Sequence, residues 1–299
     1  MSATPPLLIA RENDRSALRS ALAAGRVTRV RRGAYREPGT RAEDPVHTHL
    51  RAVHAQLLAP HVFSHESAAY LWGLRLWTPP TRAHVYQRSR ASGQRSADIA
   101  RHHGFPRSLV ELDGLPTTTR VQTVVDCLMT MRPLEGLVVA DSALEAGVRR
   151  ADLSAYLAGV PARNGHARAG LVVELADGGA QSEWESWLRY VAARAGLPRP
   201  TTQYRVETRL GPRDVDVAWP EHGVYLEFDG QVKYRSGDRR VLFEEKRRED
   251  AIVEVLGVRP LRVVAADARD VDALVARIVG RFPSALRSAF RPRPQLPRA

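Results

Sequence analysis

Residues 213–229 read RDVDVAWPEHGVYLEFD, two alternating runs separated by the turn-forming Pro220-Glu221-His222-Gly223. Strand side chains point to opposite faces in turn, so each run offers an acidic and an apolar edge. A hairpin symmetric about the turn sets Asp216 opposite Glu227 and Asp214 opposite Asp229, with Val215, Val217, Leu226 and Phe228 on the other face. A slip of one residue exposes the apolar set and buries the acids, so the pattern itself selects this register. Four carboxylates on one patch repel across the strands. A divalent cation or basic side chains must neutralise them, and Mg²⁺ (or Mn²⁺), held by carboxylates, waters and substrate phosphates, is the candidate.

The only two lysines, Lys233 and Lys246, lie just beyond this hairpin, against forty-three arginines in the chain. Where nearly every cation is Arg, a retained Lys marks a position suited to a compact ammonium rather than a planar fork. Lys233 follows the strand end at Asp229-Gly230, and Lys246 sits in the helical run EEKRRED. Glu183 and Glu185 belong to a preceding helix, SEWESWLR. Carboxylates for a metal and an ammonium beside a water are the parts of phosphodiester hydrolysis. Glu244 and Arg247 read as members of a solvated i, i+4 ion-pair face.

The net charge is +12, unevenly placed: residues 1–100 carry fifteen Arg against seven acids, whereas residues 101–250 are balanced. A basic N-terminal third points to nucleic acid. There, DRSALRSALAA (14–24) forms a helix capped by Asp14, and VTRVRRGAYREP forms a basic hairpin around Gly33. Helix then basic hairpin is how a winged helix ends, although too few residues precede it for the usual three helices. Arg26, Arg29, Arg31, Arg32 and Arg36 are the candidate phosphate contacts, with DNA the expected partner.

Helices are expected at 46–58, from Ser64, and along Val121, Val124, Val125 and Leu128, with strands at 83–87 and 98–103. A turn at Asp113-Gly114 and a cap at Thr119 separate them. A helix over 134–146 precedes a loop-rich 159–170. His65, His102 and His103 have no Cys or His at metal-ligand spacing and are assigned structural roles. The C-terminal order is helix 181–195, strands 202–208, 213–219 and 224–229, helix 239–256, strand 259–265 and helix 270–281. Absence of a long apolar run or basic-apolar leader, with the single Cys127 a core residue, predicts a cytoplasmic protein with no membrane segment. The expected fold class is mixed α/β: a winged-helix-like region (1–45), a helical middle region (46–165), an α-β-β-β-α-β module (170–285), and a disordered basic tail (286–299).

Asp216, Glu227-Phe228-Asp229-Gly230, Lys233-Tyr234, the 245–250 run and Leu261-Arg262 resemble the very-short-patch-repair-like branch of the PD-(D/E)XK nucleases. Glu185-Ser186, Arg189 and GLPRP (196–200) match its lead-in helix. The resemblance covers roughly 180–265 and implies a restriction-endonuclease-like fold, Asp216 and Glu227 (with Asp229) as metal ligands and Glu185 in support. Asp229 stands where that family has its lysine, so the lysine must come from Lys233 or Lys246. The first 160 residues, through GRVTRVRRGAYREP, SHESAAYLWGL, DGLPTTTRVQTVVD and DSALEAG, resemble the AbiEi-type antitoxin of type IV toxin–antitoxin systems. That implies DNA binding, transcriptional autoregulation and a cognate toxin as partner. Two functions follow: a DNA-binding protein with a metal-dependent endonuclease-like domain (on DNA or, as a weaker variant, RNA), or a non-enzymatic regulator carrying a degenerate nuclease fold.

Overall fold

The computed structural model describes residues 7–38, 44–88, 96–106, 108–230 and 239–298. It is a mixed α/β protein, with eleven α-helices and three sheets among the described residues. No helix among them is long and apolar enough to cross a membrane. The chain divides into two compact units, Met1–Cys127 and Leu128–Ala299.

The first unit opens with β1 (Leu8–Ile9), α1 (Arg15–Ala23), β2 (Thr28–Arg31) and β3 (Ala34–Arg36), forming an antiparallel sheet in the order β1-β3-β2. Asp14 caps α1 by accepting the N–H groups of Ser16 and Ala17, which satisfies two orphan donors of the first turn. α2 (Pro45–Gln56) packs on this sheet through Ala52 against Ile9 and Ala34. The basic hairpin and the region after residue 45 therefore share one core, which is why residue 45 is not a domain boundary.

A second, five-stranded sheet runs β6-β5-β4-β8-β7. Its elements are β4 (Val62–Phe63), α3 (His65–Leu71), β5 (Ala83–Gln87), β6 (Ile99–His103), β7 (Leu109–Leu112) and β8 (Leu115–Thr118). Asp113 and Gly114 both have positive φ and join β7 to β8, the conformation that a two-residue hairpin turn demands. Leu50, Val53, Phe63, Val85, Ile99 and Leu115 form the core between this sheet and α2. α4 (Arg120–Thr130) follows, with Val124, Val125, Cys127 and Leu128 buried.

The hairpin arginines do not act as one set. The β2–β3 register shifts between Arg29 and Arg31, and such a bulge re-aims the following side chain. Arg31 turns inward, with Nε and Nη2 donating to the two Asp98 carboxylate oxygens at 2.7 and 3.0 Å and Nη1 donating to Gln56. Arg26, Arg29 and Arg32 remain exposed and Arg36 is half-buried. Arg31 is thus committed to the fold rather than to a phosphate. Its guanidinium, ahead of the Ser96 hydroxyl, holds the Asp98 carboxyl well below the usual carboxylate range, against the opposing effect of burial. Arg31→Ala is expected to lower unfolding free energy at pH 7 by about 1.5–3 kcal/mol, the range for charge-assisted hydrogen bonds. Because the folded pKa of Asp98 is depressed, this stabilisation is present above the ordinary Asp pKa and is lost as pH falls through the folded value. Urea unfolding of wild type and variant should therefore converge in acid.

The second unit begins with α5 (Pro133–Glu145), α6 (Arg150–Ala158), α7 (His166–Leu175) and α8 (Glu183–Arg194). α7 takes up the last five residues, 166–170, of the stretch expected to be loop-rich. α5 belongs to this unit because its buried Asp141 is bound by α8, so residue 165 is not a boundary either. Then come β9 (Thr201–Thr208), β10 (Gly211–Trp219), β11 (Val224–Asp229), α9 (Arg239–Leu256), β12 (Leu261–Val264), α10 (Val271–Val279) and α11 (Ser284–Arg287). The sheet order is β12-β11-β10-β9, with β11 and β12 parallel and the other pairs antiparallel. Phe228 stacks on Trp184 of α8 (5.0 Å, 7°), whereas Tyr225 packs with Ile252 of α9. Alternation along β11 then places the two helices on opposite faces.

The tail is packed rather than disordered. Leu296 is buried, Tyr190 Oη donates to the Pro297 carbonyl at 2.9 Å, and Phe290 meets Phe282 edge to face. A Cβ at Gly196 would lie 1.9 Å from the Arg291 carbonyl oxygen, so only glycine lets the tail cross there, and its φ of +78° also favours glycine.

Candidate functional site

The β10–β11 hairpin has the register expected from its sequence: Val217 pairs with Leu226, Ala218 with Tyr225 and Trp219 with Val224, around a single 3-10 turn at Pro220–His222. Ladder pairing stops at Val217–Leu226. Beyond it, Phe228 N–H donates to Asp216 Oδ2 at 2.7 Å, so the carboxylate occupies the place of a backbone acceptor. On the other side of β10, the β9 register skips the Asp216–Gln203 pair, and Gln203 has φ of +47°. A non-glycine residue there stores strain, of order 1–3 kcal/mol, and such strain clusters at functional sites.

This break changes how the acids meet. Val215 does not share a face with Leu226 and Phe228; it packs with Val206, Ala218, Tyr225 and Ile252 on the α9 side. Strict alternation therefore ends at Asp216, whose side chain reaches across to β11. Asp214, Asp216, Glu227 and Asp229 nonetheless all line one cleft of about 480 Å³ between the sheet and α9. The parallel pairing of β11 with β12 sets Glu227 beside Arg262.

Cations line the same cleft. Arg262 Nη1 donates to Asp229 Oδ2 at 3.0 Å, and its Nη2 lies 3.6 Å from Glu249. Arg213 and Arg248 also line it, with Glu244 and Glu249 from α9. Glu244 is therefore part of the cleft wall, not only of a solvated ion-pair face. Glu249, Arg213 and Arg248 were missed in the sequence. The signal was present for the α9 residues, since 244, 248 and 252 recur every fourth position and so share one helix face.

The two lysines fare differently. Lys246 is exposed and is absent from the described residues lining the cleft. At 100° per residue it points about 160° away from Glu244 and Arg248 and about 60° away from Glu249. Lys233 lies outside the described residues. Asp229 is bound to Arg262.

Glu185 has a defined structural job. Ser182 caps α8: Glu185 N–H donates to Ser182 Oγ at 3.1 Å, and the Ser182 hydroxyl donates to Glu185 Oε1 at 2.8 Å. Gln181 N–H and Gln203 Nε2 also donate to its carboxylate, at 2.8 and 3.0 Å. Burial pushes its pKa above the usual carboxylate range, the Gln181 N–H pulls it back, and the Asp216 charge raises it again. Glu185 thus feels Asp216 electrostatically and, through Gln203, supports the strained position beside it. The donor set facing the cleft is carboxylate oxygen, the hard chemistry that suits Mg²⁺ or Mn²⁺.

No family model matches the chain. Two uncharacterized proteins of Mycobacterium tuberculosis, MT2308 (strain CDC 1551 / Oshkosh) and Rv2248 (strain H37Rv), are each 28% identical to it over 180 residues, 59% of this chain. The chain spans 65% of the length of these curated relatives. Among solved structures, the RV2827C protein from Mycobacterium tuberculosis resembles it with a TM-score of 0.41 and 17% identity, over 57% of this chain and 72% of that one.

Proposed function

We propose that this chain is a DNA-binding protein with a metal-dependent endonuclease-like module that hydrolyses phosphodiester bonds, in a toxin–antitoxin or defence setting with a cognate toxin as partner. The observation that carries this reading is the convergence of Asp214, Asp216, Glu227 and Asp229 on one cleft that also presents Arg213, Arg248 and Arg262. Acids alone would repel a phosphate; acids interleaved with guanidiniums accept a phosphodiester and a cation together. Asp216 and Glu227, with Asp229 beside them, would hold Mg²⁺ or Mn²⁺. When bound, such an ion polarises a phosphate oxygen and lowers the pKa of a coordinated water. Arg248 and Arg213 meet the phosphate charge, and Arg262 fixes Asp229 by a direct ion pair. Plasmid nicking with Mg²⁺ or Mn²⁺, wild type against Asp216→Asn, tests the reading.

A second reading is favoured by one specific observation: Asp229, where the resemblance implies a lysine, is ion-paired with Arg262. On that reading the module is a degenerate nuclease fold that binds DNA or a partner without cutting. DNA binding without cleavage across several substrates supports it over the first.

Binding would run through the exposed hairpin cations. Arg29→Ala with Arg32→Ala is expected to weaken DNA binding across sequences and to reduce the slope of log K against log salt by about 1 for each phosphate no longer neutralised. Fluorescence anisotropy at several salt concentrations measures that slope. An unchanged slope places the footprint elsewhere.

A further inference from the structure

We propose that His65, His84 and His102 bind one divalent transition-metal ion of the zinc class, with Glu66 completing the ligand set. This site lies in the first unit and does not depend on the nuclease reading. The three histidines each offer a ring nitrogen, and these atoms lie within 4.8 Å of one another. They come from separate elements. His65 opens α3, while His84 and His102 lie on the paired strands β5 and β6, where Tyr86 stands beside His102. No short sequence motif joins them, and His103, the neighbour of His102, is exposed.

The close distances fit a shared ion better than a set of hydrogen bonds. His84 Nδ1 lies 3.1 Å from His102 Nε2 and 3.0 Å from Glu66 Oε2. A ring nitrogen carries either a hydrogen or a lone pair, so it serves only one of these neighbours well. Glu66 Oε2 is buried and receives no well-aligned hydrogen bond from the described residues. For zinc bonds of about 2.0–2.2 Å, ligand atoms in a tetrahedron stand about 3.3–3.5 Å apart, close to both spacings. The His65 and His102 rings lie parallel, with centroids 3.6 Å apart, so a turn of one ring about χ2 brings both in-plane lone pairs onto a shared ion.

Two features around the cluster suit an ion. His65 has φ of +50°, a left-handed conformation rare outside glycine, and the surrounding structure holds it there. Its Nδ1 contacts Ser64 Oγ at 2.9 Å, which orients the ring. His84 and Glu66 keep partial solvent access, with side chains 18% and 24% exposed, so an entry path exists. Imidazole donors select zinc, cobalt, nickel or copper over magnesium. The ion would tie the edge strand β6 and its neighbour β5 to α3, a structural cross-link.

The test uses the full chain, stripped with a chelator and titrated with Co²⁺ while visible d–d absorption is recorded. One equivalent should bind, Zn²⁺ should displace it, and excess Mg²⁺ should not. His84→Ala and His102→Ala should each weaken Co²⁺ binding by at least ~100-fold and Glu66→Gln by ~10-fold or more, whereas His103→Ala, at the exposed neighbour of the cluster, should bind Co²⁺ as wild type does. Imidazole ¹⁵N resonances of the three histidines in wild type should shift together on adding Zn²⁺, a readout that needs no variant. Absence of saturable uptake by wild type, unmoved ¹⁵N resonances, or wild-type affinity in folded His84→Ala and His102→Ala would overturn the proposal.

Discussion

Replacing Arg189 by methionine is expected to lower the unfolding free energy of the second unit by about 3–5 kcal/mol, the range for breaking one side of a buried ion pair. α8 is buried all round from Glu185 to Ala192, so a charge on it survives only with a partner. Arg189 Nη1 donates to Asp141 Oδ2 at 2.6 Å, and Asp141 is fully buried. Ser186 Oγ and Asp177 N–H also donate to Asp141, at 2.8 and 2.7 Å. Methionine keeps the apolar stem but leaves a carboxylate with two neutral donors in a low-dielectric interior.

The pH dependence of this loss has a definite sign. Burial pushes the Asp141 carboxyl above its ordinary range, and Arg189 opposes that shift. Without Arg189 the raised pKa rises further, and a group raised on folding costs stability as pH climbs through that interval. The deficit should therefore be smaller at pH 5 than at pH 8. Adding Asp141→Leu to Arg189→Met should recover much of the loss, because an apolar pair of similar volume is often tolerated in place of a buried ion pair. Two compact units need not unfold together. Denaturation is best followed by tryptophan fluorescence in a Trp72→Phe, Trp77→Phe background, which leaves Trp184, Trp187 and Trp219 reporting on the second unit. Equal stability of Arg189→Met and wild type would show that the pair contributes nothing net.

Legibility in the sequence followed the range of the forces involved. The β10–β11 register was readable because a one-residue slip would exchange Val217 and Leu226, both fully buried, with their acidic neighbours. The Asp113-Gly114 turn and the Asp14 cap were readable because both are local backbone chemistry. What escaped was non-local. Nothing adjacent to Gln203 announces a left-handed backbone; it arises where β9 loses step with β10 opposite Asp216. Arg31 looked like its basic neighbours until a bulge turned it toward Asp98, 67 residues away. The tail composition suggested disorder, yet Leu296 finds a buried place in the second unit. Lys246 differs again: helical periodicity alone sets it opposite Glu244 and Arg248, and the described residues that line the cleft do not include it.

Asp216→Asn is expected to reduce Mg²⁺- or Mn²⁺-dependent plasmid nicking by at least ~100-fold, about 2.7 kcal/mol at 1.36 kcal/mol per tenfold. The substitution isolates charge from structure. An asparagine carbonyl can still accept the Phe228 N–H that Asp216 Oδ2 now takes at 2.7 Å, so the end of the β10–β11 ladder is preserved. What is lost is the negative charge on a hard oxygen donor, which a divalent cation requires. DNA binding should persist or strengthen slightly, since one repulsive charge leaves a cleft that retains Arg213, Arg248 and Arg262. Lys246→Ala serves as the control: absent from the described residues that line the cleft, it should nick as wild type does. Glu227→Gln should follow Asp216→Asn, because Glu227 lines the same cleft beside Arg262. Equal nicking by wild type and Asp216→Asn would remove the carboxylate cleft from the chemistry. Wild-type binding without nicking on any substrate, with either metal, would instead leave Arg262 in its ion pair with Asp229 as the mark of a fold that grips DNA and no longer cuts it.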